Sequence, residues 1–268
     1  MSEASAPLRR RDSDRPKATR DVDRMQLYAM PPGDNLQRLR SDFVALEKML
    51  GTMETDGFTG YLRVHSPELN GVVLLVEGGV VETLFDIPPV VVTGQRALGM
   101  VASAVAQGEG DLDIVALDAD IVMGLYQLLT APSLYENLYA QFVDVPALLE
   151  YLSETATSGS VIVTNGEEQG VILMRDGTLL TAYTSLSKNP ESAPEMLIKL
   201  CQSPTTEIEV RSGAVPQEPP RLQLGSAVGL AGGGDLRAQV EEIAAAQSAS
   251  GIPRRLSDAD FEASSARR

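Results

Sequence analysis

A self-similarity at an offset of 99 residues constrains this chain more than any other feature. Phe43-Val44 matches Phe142-Val143, Leu50 matches Leu149, Gly60 matches Gly159 and Val64 matches Val163. Glu68, Gly71, Val72, Leu74 and Gly78 then fall on Glu167, Gly170, Val171, Leu173 and Gly177 without a gap. The apolar phase agrees at positions that are not identical, as in Leu46/Val145, Met49/Leu148, Met53/Leu152, Leu62/Val161 and Val80/Leu179. Chance rarely aligns glycines and apolar phase together, so the chain reads as two related units in tandem.

Each unit opens with a helix. Leu46, Met49, Leu50 and Met53 recur on one face of a 3.6-residue period, and Val145, Leu148, Leu149 and Leu152 repeat the pattern, with Pro146 in the first turn. Three short strands follow as a meander: 61–65, 72–76 and 80–85, then 160–164, 171–175 and 178–183. Asn165-Gly166, Glu77-Gly78 and Asp176-Gly177 supply turn signals. A second helix begins near Gly94 or Pro194. A closing strand alternates acids with Leu112 and Ile114, or with Ile208 and Val210, which predicts one buried and one wet face. The closing strands are offset by 96 residues, and we expect the three-residue difference in the loop before the second helix.

The expected fold class is α+β: two tandem α-β-β-β-α-β units with small antiparallel sheets covered by helices, joined by a helical connector, with disordered tails. The boundaries read as a mixed-charge arm over 1–40, units over 41–117 and 141–213, a connector over 118–140, and a Pro/Gly-rich tail with one short helix over 214–268. In the connector, Ile121, Val122, Leu125, Leu128 and Leu129 have helical spacing. Ser133-x-x-Glu136 reads as a capping box restarting a helix, with Leu134, Leu138 and Phe142 turned inward. In the tail, Asp235 would cap a helix over 236–246 with Leu236, Val240 and Ile243 apolar. The six glycines Gly60, Gly71, Gly78, Gly159, Gly170 and Gly177 read as structural turns.

The pieces Gly60-Tyr61-Leu62-Arg63-Val64, Gly71-Val72-Val73-Leu74 and Glu77-Gly78-Gly79-Val80 recur as Gly159-Ser160-Val161-Ile162-Val163, Gly170-Val171-Ile172-Leu173 and Asp176-Gly177-Thr178-Leu179. This pattern resembles the PATAN-like family of bacterial domains, over two copies and roughly 170 residues. The motifs are glycines and apolar positions, so they speak for fold and are nearly silent on chemistry. The resemblance implies a protein-interaction module of the kind found beside receiver domains in bacterial signalling. No receiver domain is visible in the chain.

Composition narrows the chemistry. One cysteine, Cys201, and one histidine, His65, exclude a disulfide framework, a cysteine cage and a multi-histidine metal centre. Residues 1–41 hold nine basic and six acidic side chains, residues 42–213 hold seven and twenty-four, and residues 214–268 hold six and seven. The acidic middle repels phosphate backbones and, with no Trp, offers few stacking platforms, so no nucleic-acid partner is expected. Arg9, Arg10, Arg11, Arg15, Lys17 and Arg20 are interleaved with acids and read as a solvated arm. No segment reaches the roughly 20 apolar residues of a membrane span. No apolar run follows the N-terminal Arg cluster as in an export signal. A cytoplasmic location is the expectation.

Asp111, Asp113, Asp118 and Asp120 could suggest a divalent-cation site and a hydrolase, but a strand face and a helix start explain them as well. His65 lacks an evident nucleophile beside it, Cys201 falls on an apolar helix face, and Gly232-Gly233-Gly234 lacks the Lys-Ser/Thr of a phosphate loop. The reading is therefore no catalytic residue, no metal and no cofactor. A non-enzymatic adaptor binding proteins with a basic surface leads. A homodimer is compatible with it. The alternative is a sensor with an apolar pocket between the units around Leu125, Leu129 and Leu138.

Overall fold

The computed structural model describes residues 29–87, 90–166, 168–185, 193–216, 218–223, 236–250 and 255–256. Most of the N-terminal arm and of the chain's last twenty residues, where disorder is expected from sequence, lies outside them. The first unit runs β1 (Asp34–Arg40), a 3-10 turn, α1 (Leu46–Asp56), β2 (Gly60–His65), β3 (Asn70–Val76), β4 (Gly79–Ile87), β5 (Val90–Thr93), α2 (Gly94–Ala106) and β6 (Asp111–Ala116). Helix α3 (Ala119–Thr130) leads to the second unit. That unit runs β7 (Ser133–Tyr139), a 3-10 turn, α4 (Val145–Glu154), β8 (Gly159–Asn165), β9 (Glu168–Arg175), β10 (Thr178–Thr184), α5 (Ala193–Cys201) and β11 (Glu207–Ser212). Helix α6 (Leu236–Ser250) and the two-residue β12 (Arg255–Leu256) follow.

The fold is α+β with two antiparallel sheets. Their orders are β1-β6-β2-β3-β4-β5-β12 and β7-β11-β8-β9-β10, so the first five positions of each sheet correspond. Only the short β12 joins in parallel, on β5. The duplication extends further toward the N-terminus than the sequence suggested. β1 and β7, and the 3-10 turns after them, also stand 99 residues apart. Residues 34–40, read as part of the arm, therefore form an edge strand. α2 and α5 begin 99 residues apart as well, so the three-residue difference lies in the shorter α5 and its exit, not in the loop before it.

Ser133–Tyr139 is a strand and not the expected capped helix. Ser133 Oγ donates to Glu209 Oε1 on β11 at 2.6 Å and caps no helix. Asn137 takes a left-handed φ of 56°, and the β7–β11 register slips beside it. That bulge stretches strand alternation into three-residue spacing, which mimics a helical period. Tyr135 and Leu138 pack inward, whereas Leu134 and Phe142, expected inward, are exposed.

Three apolar clusters stack through the molecule. On the outer face of the first sheet, α1, α2 and α6 bury Leu50, Leu98, Val101, Leu236 and Ile243 with Val73 and Leu75. Between the sheets, α3 touches β2, β3 and β4 on one side and β8 to β11 on the other. There Val122, Leu125, Leu128 and Leu129 meet Tyr61, Val72 and Leu74 of the first unit and Val171, Leu173 and Tyr183 of the second. On the outer face of the second sheet, α4 and α5 cover Val161, Val163 and Ile208. Both faces of the first sheet are thus dry, and Asp113 and Val115 on β6, the face expected to be wet, are buried beneath partners. A helix lying between two sheets locks the units into one body.

Of the six glycines, only Gly78 and Gly177 make turns, both with φ of 75°. Each turn presses on the C-terminal end of α1 or α4, where a Cβ would collide with Glu54 or Ser153. Gly60 and Gly159 begin strands, and Gly71 and Gly170 lie within them. A Cβ at Gly71 would meet Val101 of α2, and one at Gly170 would meet Leu197 of α5. Those strand glycines exist to let a helix side chain rest on the sheet.

A candidate docking cleft

The sequence-derived candidates do not converge. Asp113 is held in a cross-strand cluster: Arg38 Nε lies 2.7 Å from its Oδ1, and His65 Nε2 lies 2.9 Å from its Oδ2. Burial pushes the Asp113 carboxyl up, but hydrogen bonds from Arg38 and His65 outweigh it and hold the group below its usual range. Asp111 sits opposite Arg40 on one side and His65 on the other. Asp118 precedes α3, and Asp120 pairs with Arg175 of β9. The four aspartates thus answer to different partners. Among the described residues no three His, Cys, Asp or Glu side chains gather as a metal site. Ser66, beside His65, accepts hydrogen bonds from the backbone N–H groups of Glu68 and Leu69.

The expected pocket between the units is filled. Leu125 and Leu129 are buried against both sheets, and Leu138 belongs to the cluster on the far side of the second sheet. The connector helix therefore keeps its apolar face covered by the two sheets.

The opening lies elsewhere. Between α4 and α5, over the outer face of the second sheet, is an open cleft of about 810 Å³. Val145 and Leu149 of α4, Met174 of β9, Leu179 of β10, and Leu197 and Ile198 of α5 line it, with Asp144 and Gln202 as polar points. The α4 wall is set by Asp144, whose carboxylate accepts from Ala147 N at 3.2 Å and starts the helix. The α5 wall is set by Leu197 and Leu200, which are drawn onto the sheet while Ile198 turns out. Ile198 is 63% exposed and Leu179 58%. Cys201 lines the same cleft, and burial pushes its thiol up, which lowers its thiolate fraction.

Two of the large apolar side chains left bare, Leu179 and Ile198, line this cleft. Among the described residues, Phe43, Leu134, Phe142, Tyr151, Leu179 and Ile198 are exposed, and all but Phe43 belong to the second unit. Sequence reading missed this site because most of its apolar lining has an apolar counterpart in the first unit, as Leu149 has Leu50 and Leu179 has Val80. Ile198, which stands where the first unit has Gly99, was an available signal. A buried carboxylate was also missed: Glu82 Oε1 accepts from Thr83 N and Gly94 N, both at 2.8 Å, and so caps the start of α2. No protein-family model matches the chain, and neither the curated proteins nor the solved structures contain a match to it. Among the described residues no helix is long and apolar enough to cross a membrane.

Proposed function

We propose that the protein is a non-enzymatic interaction adaptor and that the cleft of the second unit is where it holds another protein. The observation that supports this reading is the bare apolar surface around Leu179 and Ile198, beside a cleft that opens to solvent. Contiguous exposed apolar surface on a folded chain marks a binding face more often than not. The acidic body favours a partner with basic surface, attracted before contact and released by salt. The PATAN-like resemblance would set such an adaptor in bacterial signalling or cell organisation.

A pull-down at low salt from the source cells tests the reading. Proteins retained by the wild type and lost with both Ile198→Glu and Leu179→Glu support it. Proteins retained equally by all three, or none above background, overturn it. The size of the cleft favours a second reading, a small apolar ligand, since about 810 Å³ falls within the roughly 300–1,000 Å³ of small-molecule sites. Native mass spectrometry of the purified protein separates the two readings by showing whether a mass above that of the chain is carried.

A further inference from the structure

The two units differ in what covers their outer faces. On the first unit the chain's own C-terminal segment does so. Arg221 lies over Gly79 at the start of β4, and Leu222 N donates to Val80 O at 2.8 Å. Gln223 and Gln95 exchange hydrogen bonds of 2.8 and 3.0 Å at the start of α2. Helix α6 then packs on α2 and β5, burying Leu236 and Ile243 with Val240 and Ala244 beside them. Apolar residues at i, i+4, i+7 and i+8 are the stripe of an amphipathic helix.

The equivalent positions of the second unit are bare. Val80 is 2% exposed, and its counterpart Leu179 is 58% exposed. Gly99 is buried, and its counterpart Ile198 is exposed. Leu50 is buried, whereas Leu149 is half-buried. β10 is also an edge strand, so its outer backbone groups have no strand partner among the described residues.

We infer that the cleft of the second unit binds an amphipathic helix of another protein, seated on α5 and β10 as α6 and Leu222 are on α2 and β4, with an apolar i, i+4, i+7 stripe and basic flanks. This inference rests on the adaptor reading and narrows it to one class of partner. The repeat supplies the precedent for a helix: α2, the counterpart of α5, already carries one, with β5 as its second support, a strand that has no counterpart among the described residues of the second sheet. Charge supplies the flanks. Asp144 lines the cleft, Glu150 and Glu154 are exposed on α4, and Asp176 is exposed on the β9–β10 turn, against Lys199 on α5. Residues 141–213 hold ten acidic and four basic side chains. Recognition would follow the helix-in-groove mode, with apolar anchors for affinity and charge for orientation.

The test uses the full-length protein and a fluorescent synthetic peptide spanning residues 218–250, which carries Leu222 and α6. A second peptide carries Glu241→Lys and Glu242→Lys to make its helix basic. Location is read from alkylation of Cys201, the chain's single cysteine, which lines the second cleft where the first unit has Ala102. The expected result is saturable binding that slows Cys201 alkylation, is tighter for the basic peptide, and weakens about tenfold or more in Ile198→Glu and in Leu179→Glu. Both changes are at exposed positions, and Phe43→Ser on the first unit should leave binding unchanged.

Failure of both peptides to slow alkylation overturns the helix inference. So does a dimer of the protein alone that Ile198→Glu dissolves, because a second copy would then own the cleft. The adaptor reading is judged separately, by a photo-crosslinking residue at Ile198 in cells. A defined protein crosslink with no peptide binding sinks the helix and leaves the adaptor. No protein crosslink and no peptide binding sink both.

Discussion

Replacing Leu125 by Ala tests whether the two units are one body. Leu125 lies on α3, is buried to 1% exposure, and belongs to the cluster that holds side chains of both sheets. The change removes three carbons from that cluster, worth about 2.5 kcal/mol of transfer free energy at about 0.8 kcal/mol each. The sheets on either side cannot close fully on the gap, so a cavity term brings the expected loss to about 3–4 kcal/mol. With a urea slope of about 2.5 kcal/mol per molar, the midpoint should fall by about 1.2–1.6 M. The chain has no Trp, so a single Trp placed at Phe43 or at Phe142 reports each unit separately. Both positions are exposed and equivalent in the repeat, so neither reporter should disturb packing. Urea titrations followed by Trp emission should give coincident transitions for the two reporters, and Leu125→Ala should shift both equally. A shift at Phe142Trp with none at Phe43Trp, or the reverse, would refute the argument that α3 couples the sheets.

Three other outcomes follow from particular side chains. The Tyr183 hydroxyl is fully buried between the sheets with no hydrogen-bond partner among the described residues, so Tyr183→Phe should raise stability by about 1 kcal/mol in a thermal melt. Two aspartates act oppositely on the pH profile. Asp113 is held below its usual range, so it binds its proton less tightly when folded; its contribution is complete above about pH 4 and is lost in more acid solution. Burial pushes Asp86 up to about 6, so folded protein holds that proton more tightly and stability falls as pH rises between about 4 and 6. Asp86→Asn should flatten that stretch and Asp113→Asn the acid limb, both read by urea titration at stepped pH. Finally, Gly170→Val would drive a side chain into Leu197 and lift α5, with an expected cost of about 1–3 kcal/mol seen at the Phe142Trp reporter.

Much of the architecture was legible because duplication states each element twice. The meander, the flanking helices and the closing strands stand within about three residues of their expected places, since glycine spacing and apolar phase agree across 99 residues. What failed has local causes. β1 carries Arg38 and Arg40 on an edge, so its charge hides a strand in what reads as a solvated arm. In β7 the bulge at Asn137 gave strand residues a helix-like period. The wet face assigned to β6 is buried, Val115 in the cluster between the sheets and Asp113 under Arg38 and His65, which no pattern within the strand could announce. The filled space between the units and the open cleft outside the second were invisible for the same reason: both depend on which layer covers which, a property of the assembled chain.

Duplication also explains why the cleft and the tail belong to one argument. A unit of this kind buries its sheet on one side with two helices and leaves a seam between them. The first copy covers Val80 with Leu222 and α2 with α6, at the expense of spending the C-terminal segment on itself. One tail cannot close two seams, so the second copy keeps its apolar lining exposed and adds to it, with Ile198 where the first copy has Gly99. An abandoned seam would be expected to lose apolar residues, because each exposed one raises the risk of aggregation. This one holds Leu179 and Ile198 beside the Asp144 carboxylate, in a unit with ten acidic and four basic side chains, which is the composition of a surface meant to be covered by something with the opposite charge.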